Sequence, residues 1–191
     1  MRKVVVTEFM TLDGVMEDPG GAEDFVHGGW AFKFSDPDGM RFKLDEVLEF
    51  DAMLLGRVTY EGFAEAWPER RDEAGFADKM NAMKKYVVSS TLTEATWQNS
   101  EIVPGDDVPA AIAELKRGDG PDLLVAGSRR LVQTLAQHDL VDEYRLLVFP
   151  TVLGSGRRLF DGIETPFALR PIDSKVLANG ALILIYAPVR D

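Results

Sequence analysis

The chain has 191 residues, with 32 acidic and 21 basic side chains, a formal net charge of −11 and no cysteine. Its length fits one domain over residues 1–191. Its negative charge disfavours nonspecific binding to nucleic acid or to anionic membranes. The lack of cysteine excludes disulfides, thiolate nucleophiles and Cys-ligated zinc. The sequence contains no run of about 18 apolar residues, so a transmembrane helix is not expected, and the expected location is the cytoplasm. With only two histidines, a histidine-rich metal site is not expected either.

The first predicted elements are a strand over residues 3–10 and a helix over residues 40–50. The strand is rich in β-branched residues and ends before the turn dipeptide Asp13-Gly14. Residues 14–40 form a predicted loop that is rich in Gly, Asp and Pro and carries several aromatic side chains, Trp30 among them. A loop of that length inside a compact domain is usually functional or disordered, and its aromatic residues favour a packed segment that faces a ligand.

The middle of the chain alternates between short apolar runs and amphipathic segments. The run at residues 52–55 predicts a buried strand, and Thr59 is the predicted cap of a helix that ends at Trp67. Further strands are predicted at 86–88, at 123–126 and, on a weaker pattern, at 101–103, and further helices at 73–84, at 107–117 and directly after Gly127. Continuous apolar strands that alternate with helices are typical of a parallel sheet covered on both faces.

After Asp139 the pattern changes to consecutive strands. These strands are predicted at 143–149, 168–177 and 181–189, and Asn179-Gly180 between the last two is a hairpin signal. The sequence therefore predicts a three-layer α/β fold with a mostly parallel central sheet, helices on both faces and a C-terminal antiparallel hairpin. Because exposed strand edges invite pairing, we also expect a homodimer through the late strands.

Four short clusters of glycine, hydroxyl and arginine residues follow predicted strands. They read GRVT from Gly56, SST from Ser89, GSRR from Gly127 and GSGRR from Gly154. Backbone N–H groups, hydroxyls and guanidinium groups together suit a phosphate-bearing ligand, so the chain is predicted to be a nucleotide-binding enzyme. The last cluster also fits a plain glycine-rich connection with exposed arginines, which is our preferred interpretation. The Gly127 cluster lacks the G-x-G-x-x-G spacing and no G-x-x-x-x-G-K-[ST] occurs, which disfavours an ordinary Rossmann domain and a P-loop nucleotidase.

The order of these clusters resembles a known superfamily. The motifs are, in order, TLDG from Thr11, GRVT from Gly56, VVSSTL from Val87, LVAGS from Leu124, LVDE from Leu140 and PTVLGSGRRLF from Pro150. They look like the dihydrofolate-reductase-like superfamily, and they are most similar to the C-terminal reductase domain of bifunctional riboflavin-biosynthesis deaminase-reductases. The resemblance spans nearly the whole chain. It implies a reductase that transfers a hydride from NADPH to a small heterocyclic or ribosylamino-pyrimidine-like substrate, and the absence of a zinc signature means that deamination is not expected.

The resemblance also implies a cofactor site made of three turns. One turn matches the family's cofactor-binding turn, the next its contacts to the 2′-phosphate, and the last its pyrophosphate turn. The predicted NADPH-binding residues are Gly56, Arg57, Thr59, Ser89, Ser90, Thr91, Ala126, Gly127, Ser128, Arg129 and Leu131. Ala126 replaces a second glycine that is usual in dihydrofolate reductases, and Leu131 replaces a usual aromatic residue, so the packing around the nicotinamide is expected to differ.

The resemblance implies less about the chemistry of the reaction. Dihydrofolate reductases carry a carboxylate early in the helix that precedes the first cofactor turn, and the matching neighbourhood of Met40 has no acid. Asp38 or Asp45 would take that place only after a shift of the alignment. Folate reduction is therefore not expected.

The remaining candidates for the chemistry lie near the first strand. Asp13 is the predicted catalytic residue, with water as the other source of the proton, and Leu12 and Trp30 are the predicted substrate-binding residues. The alternative function is that of a non-catalytic NADP(H)-binding or regulatory protein, which would keep the dinucleotide site without a working substrate pocket.

Overall fold

A computed structural model describes residues 1–190 of the chain. Its helices are α1 (Pro37–Glu49), α2 (Arg57–Ala66), α3 (Phe76–Ala82), α4 (Val108–Arg117) and α5 (Arg129–Gln137). Its strands are β1 (Val4–Thr11), β2 (Ala52–Gly56), β3 (Lys84–Ser89), β4 (Ser100–Pro104), β5 (Leu123–Ala126), β6 (Glu143–Phe149), β7 (Leu169–Val176) and β8 (Leu182–Pro188). No helix of this described part is long and apolar enough to cross a membrane.

The strands of residues 1–190 form one sheet in the order β4-β3-β2-β5-β1-β6-β8-β7. The first six strands in this order run parallel, and β8 and β7 complete the sheet as an antiparallel pair. The predicted fold class is confirmed, including the C-terminal hairpin. Because β1 lies between β5 and β6, its carboxyl end is at the middle of the edge where the predicted clusters follow their strands.

The sheet has an apolar layer on each face because successive strand residues point to opposite sides. In β1, Val4 and Val6 belong to a core that includes residues of α4 and α5, whereas Val5 belongs to a core that includes residues of α1, α2 and α3. We call these the α5 face and the α1 face. Burial of both apolar layers is the main stabilising term for such a sheet.

Three helix starts differ from their predicted positions. α3 begins at Phe76 rather than at residue 73, and the Asp72 carboxylate accepts hydrogen bonds from the N–H groups of Phe76 and Ala77 at 2.9 and 2.6 Å. α1 begins at Pro37 rather than at residue 40, because the Asp36 carboxylate accepts hydrogen bonds from the N–H groups of Asp38 and Gly39 at 2.9 and 3.2 Å. α2 begins at Arg57 with Gly56 as its N-cap. The prediction that Thr59 caps this helix is therefore wrong, since Thr59 is its third residue.

The predicted loop over residues 14–40 contains more regular structure than its composition indicated. A short 3₁₀ helix spans Trp30–Phe34, and α1 occupies the last part of the range. Met40, the first residue of the predicted helix, is 67% exposed. The aromatic residues explain the order, because they pack the segment onto the sheet.

Candidate active site

Two of the predicted turns form one structure at the carboxyl edge of the sheet. The Ser128 hydroxyl oxygen accepts a hydrogen bond from the Gly56 N–H at 2.8 Å, which joins the end of β2 to the turn after β5. Gly127 has a φ of +69°, and a Cβ atom placed on it would lie 3.0 Å from Cγ2 of Thr59. We call these four residues, Gly56, Thr59, Gly127 and Ser128, the cradle. The turns meet because β2 and β5 are neighbours in the sheet.

Both helices that leave the cradle begin without a side-chain cap. Gly56 has no side chain to cap α2, and Ser128, at a φ of +70°, gives no capping hydrogen bond to α5. Its hydroxyl is bound to the Gly56 N–H instead. The first N–H groups of an α-helix lack partners within the helix and lie at its positive dipole end. Two such ends beside a glycine turn can bind an anionic group such as a pyrophosphate.

Three of the arginines near the cradle differ in their ion pairs. Arg57 pairs with Glu61 of the same helix at 2.8 Å, and its side chain is 43% exposed. In residues 1–190, Arg129 and Arg130 have no carboxylate within salt-bridge distance. The start of α5 therefore carries positive charge that no acidic side chain of this part of the chain neutralises.

The third predicted turn follows β3, next to β2 in the sheet. The Ser89 hydroxyl oxygen accepts hydrogen bonds from the N–H groups of Thr91 and Leu92 at 3.1 and 2.8 Å. Ser90 and Thr91 are exposed. The Ser89 hydroxyl thus shapes the turn as an acceptor and still has its own O–H group to donate, and the exposed Ser90 and Thr91 are open to a ligand at this edge.

Asp13 joins the turn after β1 to the segment that follows β6. Its carboxylate accepts hydrogen bonds from the Thr11 hydroxyl at 2.5 Å and from the N–H groups of Leu153 and Gly154 at 3.3 and 2.9 Å, and it lies 3.7 Å from the Arg158 guanidinium. We call these contacts the Asp13 clasp. Desolvation opposes ionisation, but the hydrogen bonds outweigh it and lower the pKa of Asp13. The predicted catalytic residue is therefore held as a carboxylate that accepts hydrogen bonds.

The fourth glycine and arginine cluster fastens the same loop. Arg157 pairs with Glu17 at 2.8 Å and with Glu23 at 2.5 Å. The Arg158 Nε donates to the Asp13 carbonyl oxygen at 2.9 Å. With both guanidinium groups engaged inside the chain, the cluster fits the preferred interpretation of a connection rather than that of a phosphate site.

The two predicted substrate-binding residues have opposite environments. Leu12 is 66% exposed at the end of β1. Trp30 is 1% exposed, its ring packs edge-on against Phe149, and its Nε1 donates to the Glu17 carbonyl oxygen at 2.8 Å. Trp30 is thus a packing residue that holds the loop down, and Leu12 is the one with free surface for a ligand.

The two helix acids named in the sequence analysis, Asp38 and Asp45, are exposed. Asp38 pairs with Lys175 and Asp45 pairs with Arg41, in both cases among exposed side chains. The acid of α1 that does face the sheet is Glu46, which accepts from the Thr7 hydroxyl at 2.9 Å and binds the Lys43 amino group. Sequence reasoning considered Asp45 and missed its neighbour Glu46, because the expected match to Met40 gave no indication that Glu46 is the buried acid of this helix.

A second missed residue is Glu8 of β1. Glu8 is 5% exposed, and its Oε1 atom has no hydrogen-bond partner in the described chain. Burial raises the pKa of Glu8 to about 8, against the opposing effects of the Lys43 charge and the Gly127 N–H. The alternation in β1 could have revealed it, since Glu8 stands two residues after Val6 on the face that is otherwise apolar.

Comparison with known proteins connects this geometry to a family. The sequence model of the RibD C-terminal domain matches residues 2–183. The uncharacterized protein YyaP of Bacillus subtilis is 29% identical over 188 residues, which cover 97% of this chain and 94% of that protein.

Solved structures share the fold over nearly the whole chain. A putative riboflavin biosynthesis protein from Shewanella sp. PV-4 has a TM-score of 0.74 at 23% identity, covering 98% of this chain and 99% of its own. A pyrimidine reductase-like protein from Corynebacterium diphtheriae has a TM-score of 0.71 at 12% identity, covering 100% of this chain and 93% of its own. At these identities the likeness supports the fold.

Proposed function

The chain belongs to the RibD C-terminal domain family, and we propose that it is an NADPH-dependent reductase of a small heterocyclic or ribosylamino-pyrimidine-like compound. The observation that carries the proposal is the cradle, where the Ser128 hydroxyl binds the Gly56 N–H and leaves two helix N-termini uncapped. Such an arrangement has free donors and positive potential where a dinucleotide has its pyrophosphate.

Each part of the cofactor site has a separate role in the proposal. The N–H groups at the starts of α2 and α5 would hold the pyrophosphate, with Arg129 supplying charge. Arg57, Ser89 and Ser90 would hold the 2′-phosphate, for which Arg57 must exchange Glu61 for the ligand. NADPH supplies the hydride when bound. The chain contributes position, charge complementarity and exclusion of water.

The Asp13 clasp orders the other side of the site. Because the Asp13 carboxylate is ionised and occupied by donors, it fixes the turn that presents Leu12. Water at this exposed turn is then the source of the proton for the reduced substrate. The names of the Shewanella and Corynebacterium proteins support a substrate of the riboflavin-precursor type.

The engaged state of Asp13 is also the observation that favours the alternative function. A protein that binds NADP(H) without turnover needs the cradle but no proton donor.

The predicted homodimer is a further proposal, for which β7 supplies the sheet edge, with Ile172 and Val176 exposed on it.

Titration of the purified protein with NADPH and NADH, followed by cofactor fluorescence, tests the cofactor assignment. We expect tighter, salt-sensitive binding of NADPH. Arg57→Ala should weaken NADPH binding by roughly tenfold, which corresponds to one charge-assisted contact, and leave NADH binding unchanged.

Arg41→Ala is a matched control for that variant. Arg41 also pairs with a carboxylate four residues on, Asp45 at 2.8 Å, but on the exposed side of α1. It should leave both affinities unchanged. Equal loss of NADPH and NADH affinity in Arg57→Ala would contradict the 2′-phosphate role, and NADPH binding without oxidation by any aminopyrimidine or carbonyl compound would favour the non-catalytic alternative.

A further inference from the structure

Glu8 lies directly beside the cradle in the sheet. Thr7 of β1 is paired with Ala126 of β5, so the next residue along β1 is level with Gly127. The Gly127 N–H is one of the groups that act on the Glu8 carboxyl. A carboxyl group therefore lies next to the turn that is proposed to hold the pyrophosphate.

The immediate surroundings of Glu8 offer little support for a negative charge. Its side chain lies on the α5 face, in line with Val4 and Val6, and the apolar core of that face includes Leu131 of α5 and Leu146 of β6. With Oε1 unpartnered in residues 1–190, an ionised carboxylate there would be desolvated and incompletely hydrogen-bonded.

The charged groups that act on Glu8 come from α1, across the sheet. They are Lys43, which favours ionisation of Glu8, and Glu46, which opposes it. The Lys43 amino group is already bound to the Thr7 hydroxyl at 2.7 Å and to the Glu46 carboxylate. The cation that favours ionisation of Glu8 is thus already bound to another acid.

Building on the proposed function, we propose that Glu8 is a positioning residue of the cradle and that its carboxyl group must be uncharged for a dinucleotide pyrophosphate to bind at the Gly127 turn. The uncharged carboxyl group packs against the turn without repelling the ligand. Once ionised, it places a negative charge below the pyrophosphate and competes for the Gly127 N–H, which the ligand needs as a donor.

The expected consequence is that cofactor binding takes up a proton in mildly alkaline solution. With a pKa of about 8 for Glu8 in the free protein, only about one tenth of the molecules at pH 9 have the uncharged group. Because apparent affinity scales with the competent fraction, NADPH should bind about tenfold more weakly at pH 9 than at pH 7. Between these values the phosphate groups of NADPH stay ionised, since a phosphate monoester has its second pKa near 6.

The experiment compares the wild-type protein with Glu8→Gln by NADPH titration between pH 7 and pH 9. Glutamine keeps the size and an acceptor but does not titrate. We expect the variant to lose the pH dependence, so that at pH 9 it binds NADPH about tenfold more tightly than the wild type does. A gain of affinity cannot result from a folding defect. The comparison also separates Glu8 from Lys85, whose pKa burial lowers to about 8 but which both proteins share.

A second measurement needs no variant. Calorimetric titration of the wild-type protein with NADPH in two buffers of different ionisation enthalpy should show uptake of about one proton at pH 9 and none at pH 7. Binding whose pH dependence is the same in both proteins, or that takes up no proton at pH 9, would overturn this inference and leave the reductase proposal standing. Absence of NADPH binding at pH 7 would overturn both.

Discussion

The cradle and the Asp13 clasp lie on either side of the carboxyl end of β1. They differ in how far their polar groups are satisfied by hydrogen bonds. At the cradle, two helix N-termini are uncapped, and Oε1 of Glu8, beside the cradle, has no partner in the described chain. In the clasp, the Asp13 carboxylate accepts three hydrogen bonds and lies close to Arg158.

This difference shows how the two carboxylic acids acquire different charge states. Glu8 is desolvated with little compensation, which raises its pKa, whereas hydrogen-bond donors around Asp13 lower its pKa. The free N–H groups at the cradle indicate a place where a ligand can bind. The hydrogen bonds that occupy the Asp13 carboxylate indicate that the clasp stabilises the fold. The following variants test that division.

The largest effect is expected for Gly127→Ala. The residue has a φ of +69°, which an L side chain rarely adopts, and the added Cβ would meet Cγ2 of Thr59 at 3.0 Å, so the turn or the Thr59 side chain has to adjust. Loss of its N–H contacts to the pyrophosphate, at about 1.5–3 kcal/mol for each hydrogen bond to a charged group, should weaken NADPH binding by more than about tenfold. Fluorescence titration measures this loss.

Gly154→Ala is the matched control in the clasp. Gly154 has a similar φ of +77°, but a Cβ there would meet nothing within 4 Å. Both variants should lose about 1–2 kcal/mol of stability from the left-handed backbone conformation, and only the Gly127 variant should lose NADPH affinity. Equal affinities in the two variants would mean that the turn after β5 does not hold the cofactor.

A smaller effect is expected when one arginine is removed from each region. Arg129→Ala should weaken NADPH binding by roughly tenfold and reduce its salt dependence, because its charge is available to the ligand. Arg157→Ala should leave the affinity unchanged, because Arg157 is paired with Glu17 and Glu23. Titrations at low and high salt distinguish the two, and a larger loss in Arg157→Ala would reverse the assignment of the regions.

The sequence predicted the fold well because its signals were local. Valine-rich runs marked the strands, and Asn179-Gly180 marked the hairpin that joins β7 to β8. The start of α1 was missed although its signal was present: Asp36 before Pro37 is an N-cap followed by proline in the first turn. Thr59 was misassigned because Gly56 ends the strand and also begins the helix.

The site was predictable in position but not in its contacts. The clusters that begin at Gly56 and Gly127 were predicted to follow strands of a mostly parallel sheet, and the carboxyl ends of parallel strands meet at one edge. The bond between Ser128 and Gly56 depends on the order of β2 and β5 in the sheet, which no local pattern encodes. The burial of Trp30 likewise depends on a distant partner, Phe149.

The smallest effect is expected for Asp13→Asn, and it is visible in stability rather than in cofactor binding. The lowered pKa means that the Asp13 carboxylate stabilises the fold above its unfolded pKa of about 3.9. The variant should therefore be less stable than the wild type at pH 7, by about 1 kcal/mol for weakened hydrogen bonds to a partly buried charged group. This difference should begin to shrink as the pH falls below the unfolded pKa of about 3.9, and it should vanish only below the lowered pKa of the folded carboxylate. Urea unfolding at the two pH values measures it. If NADPH oxidation instead fell by the factor of about 100 or more that loss of a general acid produces, with unchanged stability, Asp13 would be the proton donor and the clasp would belong to the catalytic machinery.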